Sequence, residues 1–454
     1  MALFAWNSYF SAFRNGSVPP CSFLRLHLFA DLMDDRVVIT GIGMVTSVGR
    51  DRESTWGAVK AGRNGVRKIC GMPGIPDGLL LGATVEGVPH DRYGDRNFPI
   101  AMAASREALE DSRLDLRGCD RSRVAHSFGT CSGATPWMTE EYARRDGTNQ
   151  AKPWWENYLH SAVPTRIANR LGVYGPRLVN STACATGTIA TINGMRAIID
   201  GQCDVAVVGA AQTLHPILSA GFYNMRVLAS ADDPASACRP FDVNRTGFVM
   251  GEGAATLVLE RLGFARARGA SIYAEVLGGA LMSDSTHVTD LSADSRPLTH
   301  LLDRTLRRSN LSPSDVAYIN AHGTGTKQND AMETRGIRAA FGSAANHLCV
   351  STIKANLGHL VNAAGAVELA ITAMALRDGF APPTVNLTHP DPDCDLDCVP
   401  LVGRRRALEH AVKISIAFGG HLAAIALRRW SGAGERCEPA PAAIAAVAAR
   451  RMAA

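Results

Sequence analysis

Two distant stretches of this chain are built alike. Val124 to Gly133 reads VAHSFGTCSG and Val316 to Thr326 reads VAYINAHGTGT. Each is an apolar run that gives way to small and polar residues. Further along each half, Ser181-Thr182-Ala183-Cys184 is echoed by Ser351-Thr352-Ile353-Lys354, and both echoes open onto a helical apolar pattern. Self-similarity at this scale argues for a duplicated plan. Fully apolar strands such as Cys203 to Ala210 (CDVAVVGA), set between helical stretches, place the chain in the α/β class with buried sheets. The expectation is two similar halves, 34–270 and 271–430, joined near residues 260–275. Residues 1–33 would form an extension and 431–454 a frayed tail. Loops at corresponding strand ends of such a pair face one another, a favoured place for a site.

Individual elements follow from periodicity. Arg36 to Thr40 reads as a buried strand leading into a tight turn through Gly41 and Gly43. That glycine pair superficially matches a dinucleotide fingerprint, but Thr46 stands where the third glycine is needed. Residues 99–112 read as a helix. Ile189, Ile192 and Ile199 give a helical stripe that ends near Gly201.

Composition narrows the function classes. With 46% hydrophobic and 20% charged residues the chain is a packed globular protein. A net charge of +5 does not argue for nucleic acid, but it is compatible with a basic face toward an acidic protein. Lys60, Arg63, Arg67, Lys68 and Arg226 are the candidates for that face. The 11 cysteines are odd in number and scattered, which points to free thiols in a reducing, cytoplasmic setting. Cys394 and Cys398 lack a second ligand pair, so no metal site is expected. No apolar run approaches the ~20 residues that span a bilayer. The first 30 residues have no acidic side chain and no cleavage-site pattern. Met33, directly before Asp34-Asp35-Arg36, reads as the start, with organelle targeting by residues 1–32 as the alternative.

Cys184 is the candidate nucleophile. It follows a β-rich run (Pro176 to Val179) and precedes the helical pattern. Unpaired backbone N–H groups at a helix start favour a thiolate. Ala183, Ala185 and Gly187 are small enough to leave a substrate room to reach the sulfur. The other polar candidates lie in the echoed loops of the second half: His322 in NAHGTGT, Lys354 and His359 in STIKANLGH, and Phe418 in SIAFGG.

Together these motifs resemble the β-ketoacyl-acyl-carrier-protein synthases, the elongating type II condensing enzymes with a Cys-His-His triad. The match runs through the Cys184 elbow, Ala321-His322-Gly323-Thr324-x-Thr326, Lys354-x4-His359, Phe418-Gly419-Gly420, and the stretch Arg239 to Gly253. It covers roughly residues 35–428. The resemblance implies the thiolase fold, a five-layered α-β-α-β-α sandwich, as a homodimer. It implies that Cys184 carries an acyl group received from acyl carrier protein, and that malonyl-acyl carrier protein then loses CO2 and condenses with it. Backbone N–H groups of Cys184 and Phe418 would form the oxyanion hole. His322 and His359 would stabilise the enolate, with Lys354 orienting them and the helix dipole keeping His359 neutral. Thr324 and Thr326 would bind the phosphopantetheine arm, which arrives on the carrier protein, so no tightly bound cofactor is expected. Phe222 and Phe418 would line or gate the acyl pocket. Asp330 and Glu333 would be structural, Glu333 pairing with Lys354.

Three departures from the family pattern bear on specificity. Ala417 replaces the usual glycine, His421-Leu422 stands where a polar residue and Asn are usual, and Ser132 occupies the usual Ile or Leu of the pocket floor. The reading is therefore condensation in fatty-acid elongation. The alternatives are a specialised polyketide or lipid pathway, or a non-catalytic chain-length partner. Cys184 argues against the last. A degradative thiolase is disfavoured because Gly419-Gly420 is followed by His421 and not by a cysteine-containing loop.

Overall fold

Ten apolar segments pair into one hydrogen-bonded order of strands. They are β1 Val37–Thr46, β2 Val124–Gly129, β3 Arg177–Asn180, β4 Val205–Gln212, β5 Gly253–Arg261, β6 Ala274–Ser283, β7 Val316–Asn320, β8 Cys349–Ser351, β9 His410–Ala417 and β10 His421–Arg429. The computed structural model describes residues 35–72, 74–91, 95–130 and 159–432. Ser132 and the two terminal segments therefore lie outside the described residues. β1, β2, β4 and β5 are buried along their whole length, which is why they read as continuous apolar runs rather than alternating ones.

The first five strands run in the order β3-β2-β4-β5-β1 and the second five in the order β8-β7-β9-β10-β6. Strand sense repeats as well. β2 is parallel to β3 and β4, and β7 is parallel to β8 and β9. The remaining pairs of each set, β4 with β5 and β5 with β1, β9 with β10 and β10 with β6, are antiparallel. One half is thus a copy of the other. They meet where Val37–Ile39 of β1 pairs with Ala274–Val276 of β6.

Helices fill the layers between and outside these sets. α1 (Asn97–Ser112) covers β1 and β5, while α2 (Thr186–Ile199) is central. α3 is Pro216–Asn224. α4 (Arg296–Arg308) covers β6 and β10, and α5 (Lys327–Phe341) packs on α4. α6 is the short Lys354–Leu357, and α7 is Ala364–Asp378. α2 and α7 pack on each other and on strands of both halves. The layers therefore run α-β-α-β-α. α4 buries one leucine stripe, Leu298, Leu301, Leu302 and Leu306, as an outer helix does. In α7 every residue from Ala364 to Leu376 is buried, as a helix enclosed on all sides requires. Among the described residues no helix is long and apolar enough to cross a membrane.

The expected turn at Gly41 and Gly43 is absent: β1 continues through both, with one shift of register between Ile39 and Gly41. A Cβ on Gly41 would stand 2.2 Å from the Ala108 carbonyl oxygen, and one on Gly43 2.0 Å from that of Ala104. The glycines serve to let α1 lie directly on the strand backbone.

Candidate active site

Cys184 sits on a sharp strand-to-helix turn. β3 ends at Asn180, Ala183 takes a left-handed φ of 44°, and Ala183–Ala185 forms one 3-10 turn before α2 begins at Thr186. A non-glycine residue in that region costs roughly 1–2 kcal/mol, so neighbouring bonds must hold it. Thr182 N–H donates to Thr186 Oγ1 at 2.8 Å, and Thr186 Oγ1 donates to Asn362 Oδ1 at 2.9 Å. The second half copies this device. Val361, with φ 40°, opens the 3-10 turn Val361–Ala363 just before α7. The counterpart of Cys184 is therefore Asn362 and not Lys354. The sequence echo misplaced it because α6 and the His359 loop intervene between β8 and this turn.

The small residues around the sulfur also do something other than expected. Ala185 is fully buried. A Cβ on Gly187 would stand 2.3 Å from the Ala366 nitrogen. The space beside Gly187 belongs to α7 rather than to a substrate.

His359 Nε2 lies 3.0 Å from Cys184 Sγ. The other ring nitrogen, Nδ1, accepts the Val361 N–H at 3.2 Å. A backbone N–H only donates, so Nδ1 bears the lone pair and the ring proton sits on Nε2, pointing at sulfur. The His322 ring packs edge to face on His359 with centroids 5.4 Å apart. Sγ and one nitrogen of each ring fall within 4.8 Å of one another. Burial, and after it the Lys354 ammonium, hold both imidazoles well below the usual histidine range. Both rings are neutral, chiefly because they are enclosed; the helix dipole invoked from the sequence is not needed.

Lys354 reaches the His322 carbonyl oxygen with its Nζ, so it orients that loop through the backbone. Its ionic partner is Glu368 of α7 at 2.5 Å, not Glu333. Glu333 is occupied elsewhere: its carboxylate accepts the His322 N–H at 2.6 Å and the Gly323 N–H at 2.8 Å. Burial lifts its pKa to about 7. Asp330 accepts from the N–H groups of Phe241, Thr324 and Gly325 at 2.8–3.2 Å, which pins the neighbouring loop. Glu368 carries a second cation, Lys413 of β9, 2.8 Å from its other oxygen. Sequence reasoning missed both Glu368 and Lys413. Their signal was a lone acid within the apolar run 364–376 and a lone lysine within the apolar strand before Phe418.

The other candidates fall around this core. Phe222 of α3 and Phe418, just after β9, face each other with ring centroids 6.2 Å apart. Between Phe222 and the triad lies Phe248, 5.3 Å from the Phe222 ring and 5.0 Å from His359, edge to face on both. Sequence reasoning missed Phe248 as well, although it lies within the matched stretch Arg239 to Gly253. The hydroxyls of Thr324 and Thr326 bond each other at 3.0 Å. Ala417 is the last, buried residue of β9. Gly419 and Gly420 turn with φ of 81° and 73°, and a Cβ on Gly420 would strike the Asp284 carbonyl oxygen. Of the basic candidates, Arg63, Lys68 and Arg226 are exposed. Lys60 is paired with Asp378 at 3.0 Å and Arg67 with Glu86 at 2.5 Å.

Comparison with known proteins agrees with this geometry. Residues 83–265 match the family described as beta-ketoacyl synthase, N-terminal domain, and residues 273–388 match the C-terminal domain. The chain is 38% identical over 415 residues to the tetracenomycin polyketide synthase ketoacyl synthase alpha subunit of Streptomyces glaucescens, covering 87% of this chain and 97% of that protein. It is 34% identical to 3-oxoacyl-[acyl-carrier-protein] synthase 2 of Synechocystis sp., covering 88% and 100%. A type II polyketide ketosynthase, solved with its acyl-carrier protein and bound to a hexaketide, superposes with a TM-score of 0.81 at 30% identity, covering 87% and 99%. A beta-ketoacyl synthase from Burkholderia phymatum superposes with a TM-score of 0.80 at the same identity, covering 87% and 99%. The five layers are those of the thiolase fold.

Proposed function

Because the chain belongs to the β-ketoacyl synthase family, we propose that it is the acyltransferase that condenses a Cys184-bound acyl group with malonyl-acyl carrier protein. The observation that carries this reading is the His359 Nε2–H aimed at Cys184 Sγ across 3.0 Å. A donor at that position stabilises negative charge on sulfur. The thiolate attacks the acyl thioester, the thioester C–S bond breaks, the phosphopantetheine sulfur leaves as a thiolate that takes a proton from solvent, and the chain is held covalently. Malonyl-carrier protein then enters. Its C–CO2 bond breaks, CO2 leaves, and the electron pair becomes an enolate on the thioester oxygen. His322 and His359, both neutral, donate to that oxygen. The enolate carbon attacks the acyl-Cys184 carbonyl, backbone N–H groups of Cys184 and Phe418 take up the tetrahedral oxyanion, and thiolate Cys184 leaves. The aromatic chain Phe248, Phe222 and Phe418 lines the acyl side. The arm passes Thr324 and Thr326.

Acyl carrier protein is the macromolecular partner, met by the exposed Arg63, Lys68 and Arg226. A second copy of the chain adds along β3, which among the described residues pairs only with β2. The free cysteines of the described residues fit a reducing, cytoplasmic setting. The relatives include both a polyketide ketoacyl synthase alpha subunit, at 38% identity, and a 3-oxoacyl-[acyl-carrier-protein] synthase 2, at 34%, so fatty-acid elongation is the first reading and a polyketide pathway the second.

The test is incubation with a panel of saturated and β-keto acyl-carrier proteins, followed by mass analysis of the Cys184 peptide. An adduct is expected that disappears in Cys184→Ala. No adduct with any chain would overturn the reading, and the fastest chain distinguishes the two pathways. His322→Ala should lose malonyl decarboxylation while keeping most acylation; normal condensation in that variant refutes its role.

A further inference from the structure

The buried polar layer behind the triad holds more positive charge than one lysine explains. Glu368 is 2% exposed, and an ammonium group lies at ion-pair distance from each of its oxygens, although Oε2 receives no hydrogen bond. Lys354 Nζ stands 2.5 Å from one oxygen and Lys413 Nζ 2.8 Å from the other. The two lysines are 1% and 0% exposed. A buried cation is costly unless paired, and a neutral pair needs only one of them. The second is held in place by named contacts. Lys413 Nζ donates to the Ile414 carbonyl oxygen and, at 3.2 Å, to Ser415 Oγ. Ser415 Oγ in turn lies 2.9 Å from Thr188 Oγ1 on α2, the helix that follows Cys184. Lys413 therefore ties β9, which leads to the Phe418 loop, to both central helices.

We infer that Lys413 is a positioning residue of the condensing site: with Lys354 it divides the single carboxylate of Glu368, and the positive charge left over acts on His322 and His359 so that both remain neutral donors. The inference rests on reading Cys184, His322 and His359 as the reacting set.

The groups facing this layer come from every element packed on it. β7 presents Tyr318 and the residue paired with Lys413, Asn320, while the loop beyond β7 carries His322. α5 presents Glu333, α6 Lys354, the loop after α6 His359, and α7 Glu368. Tyr318 is kept protonated by burial. Glu333, lifted to about 7, offers only part of a negative charge near neutrality. Burial lowers the pKa of Lys413 itself, with Glu368 opposing that fall and Lys354 adding to it, and the ammonium that Glu368 retains there is not cancelled by Glu333. Both histidines lie within its field, and it opposes imidazolium in each. A protonated His359 would also set its Nδ1–H against the Val361 N–H, donor against donor, and release the ring from its aim at sulfur.

The experiment measures malonyl-carrier-protein decarboxylation and full condensation from about pH 4 to 8.5, for the full chain and for Lys413→Met and Lys413→Arg. Removing the charge should move the acid limb of the rate profile up by about one pH unit. On the acid limb itself, below the wild-type midpoint, that lowers kcat by up to about tenfold, with KM for malonyl-carrier protein unchanged. Lys413→Arg should restore the wild-type limb. A purely structural role would lower the rate evenly across pH, and a folded Lys413→Met with the wild-type acid limb, or an arginine variant that fails to restore it, overturns the inference. A second measurement needs no variant: nitrogen-15 NMR of the wild-type histidines at about pH 6 should show both rings singly protonated. Imidazolium at either position would sink the inference even where Lys413→Met does not fold. A wild-type chain that neither decarboxylates nor condenses fails the condensing reading instead, and that outcome is distinct from a normal rate with an unmoved acid limb.

Discussion

Gly187→Ala tests how closely the site depends on the two central helices. Gly187 lies in the first turn of α2, three residues after Cys184. A Cβ at that position would stand 2.3 Å from the Ala366 nitrogen and 2.8 Å from the Ala366 Cβ. The contact is reciprocal: a Cβ on Gly365 of α7 would meet Thr188 Oγ1 at 2.5 Å and the Thr188 nitrogen at 2.6 Å. The helices touch backbone to backbone. Neither neighbour is the far end of a flexible side chain, so the added methyl must push α2 away from α7 by about 1 Å to reach an ordinary contact near 3.5 Å. Overpacking of this kind costs about 1–3 kcal/mol. The functional loss should be larger in proportion. α2 follows the turn that holds Sγ, whereas the His359 loop and Asn362 lead into α7, so the same 1 Å opens the Sγ–Nε2 contact and strains the Thr186–Asn362 bond. Misplacement by that distance costs on the order of 100-fold in rate. The assay is the rate of Cys184 acylation by mass spectrometry, beside a thermal melt. Gly57→Ala is the control. Gly57 lies in the helix Arg52–Lys60, and a Cβ added there would meet nothing within 4 Å, so alanine should stabilise by roughly 0.5–1 kcal/mol. If Gly187→Ala acylates at the wild-type rate and melts with the wild type, the argument from helix contact is wrong.

Three further outcomes are expected. Glu333→Ala strips the acceptors from two buried N–H groups, of His322 and Gly323, at about 1–3 kcal/mol each; malonyl decarboxylation should fall far more than Cys184 acylation, and equal losses would refute the assignment. Asn362→Ala removes the anchor that links Thr186 to Gln212, bonds of 2.9 Å each; stability should drop by about 1–3 kcal/mol in denaturant unfolding and acylation should slow, whereas an unchanged acylation rate would show that the Cys184 turn holds itself. His126 is buried in β2, stacked on Phe128, and desolvation lowers its pKa to about 3. Between its unfolded value near 6.5 and about 3 the unfolded chain takes up a proton that the folded chain refuses, so its stabilising effect is complete above pH 6.5 and is lost as the pH falls. By pH 5 the loss is about 2 kcal/mol, and His126→Leu should remove that part of the difference between unfolding at pH 7 and pH 5. An identical pH dependence in the variant would refute it.

The duplicated α/β plan was legible because buried parallel strands leave continuous apolar runs that differ from everything around them, as in β2, β4 and β7. Cys184, His322 and His359 were legible because they stand in short loops of small residues where a buried polar group has little other reason to be. What was hidden depended on approach between backbones. Gly41, Gly43 and Gly187 all looked like freedom or open space, and each proves to be filled by a helix that no local pattern announces. The Lys354 partner was missed for a related reason. Glu333 is nearer in the motif, but its carboxylate is consumed by backbone donors, and the acid that reaches the lysine comes from the far side through α7. A lone charge inside an apolar helix or strand, Glu368 or Lys413, is the sign of such a partner.

The same comparison shows where the chemistry enters a duplicated fold. Cys184 and Asn362 occupy equivalent 3-10 turns, each opened by a left-handed residue and each leading into a central helix. One copy carries the sulfur. The other carries an amide that grips the first copy through Thr186 and braces it on Gln212 at the end of β4. The duplicate turn thus acts as the support for the reactive one. Between β3 and the first turn lie only residues 181 and 182, whereas residues 352–360 lie between β8 and the second. Lys354 and His359 both stand in that longer segment, which has no counterpart in the first half. The segment can reach the sulfur because the pairing of α2 with α7 sets the two turns face to face. Symmetry supplies the facing turns, and the extra length on one side supplies the donor and the cation. A fold of two identical halves would bring two equal groups together and leave neither of them activated.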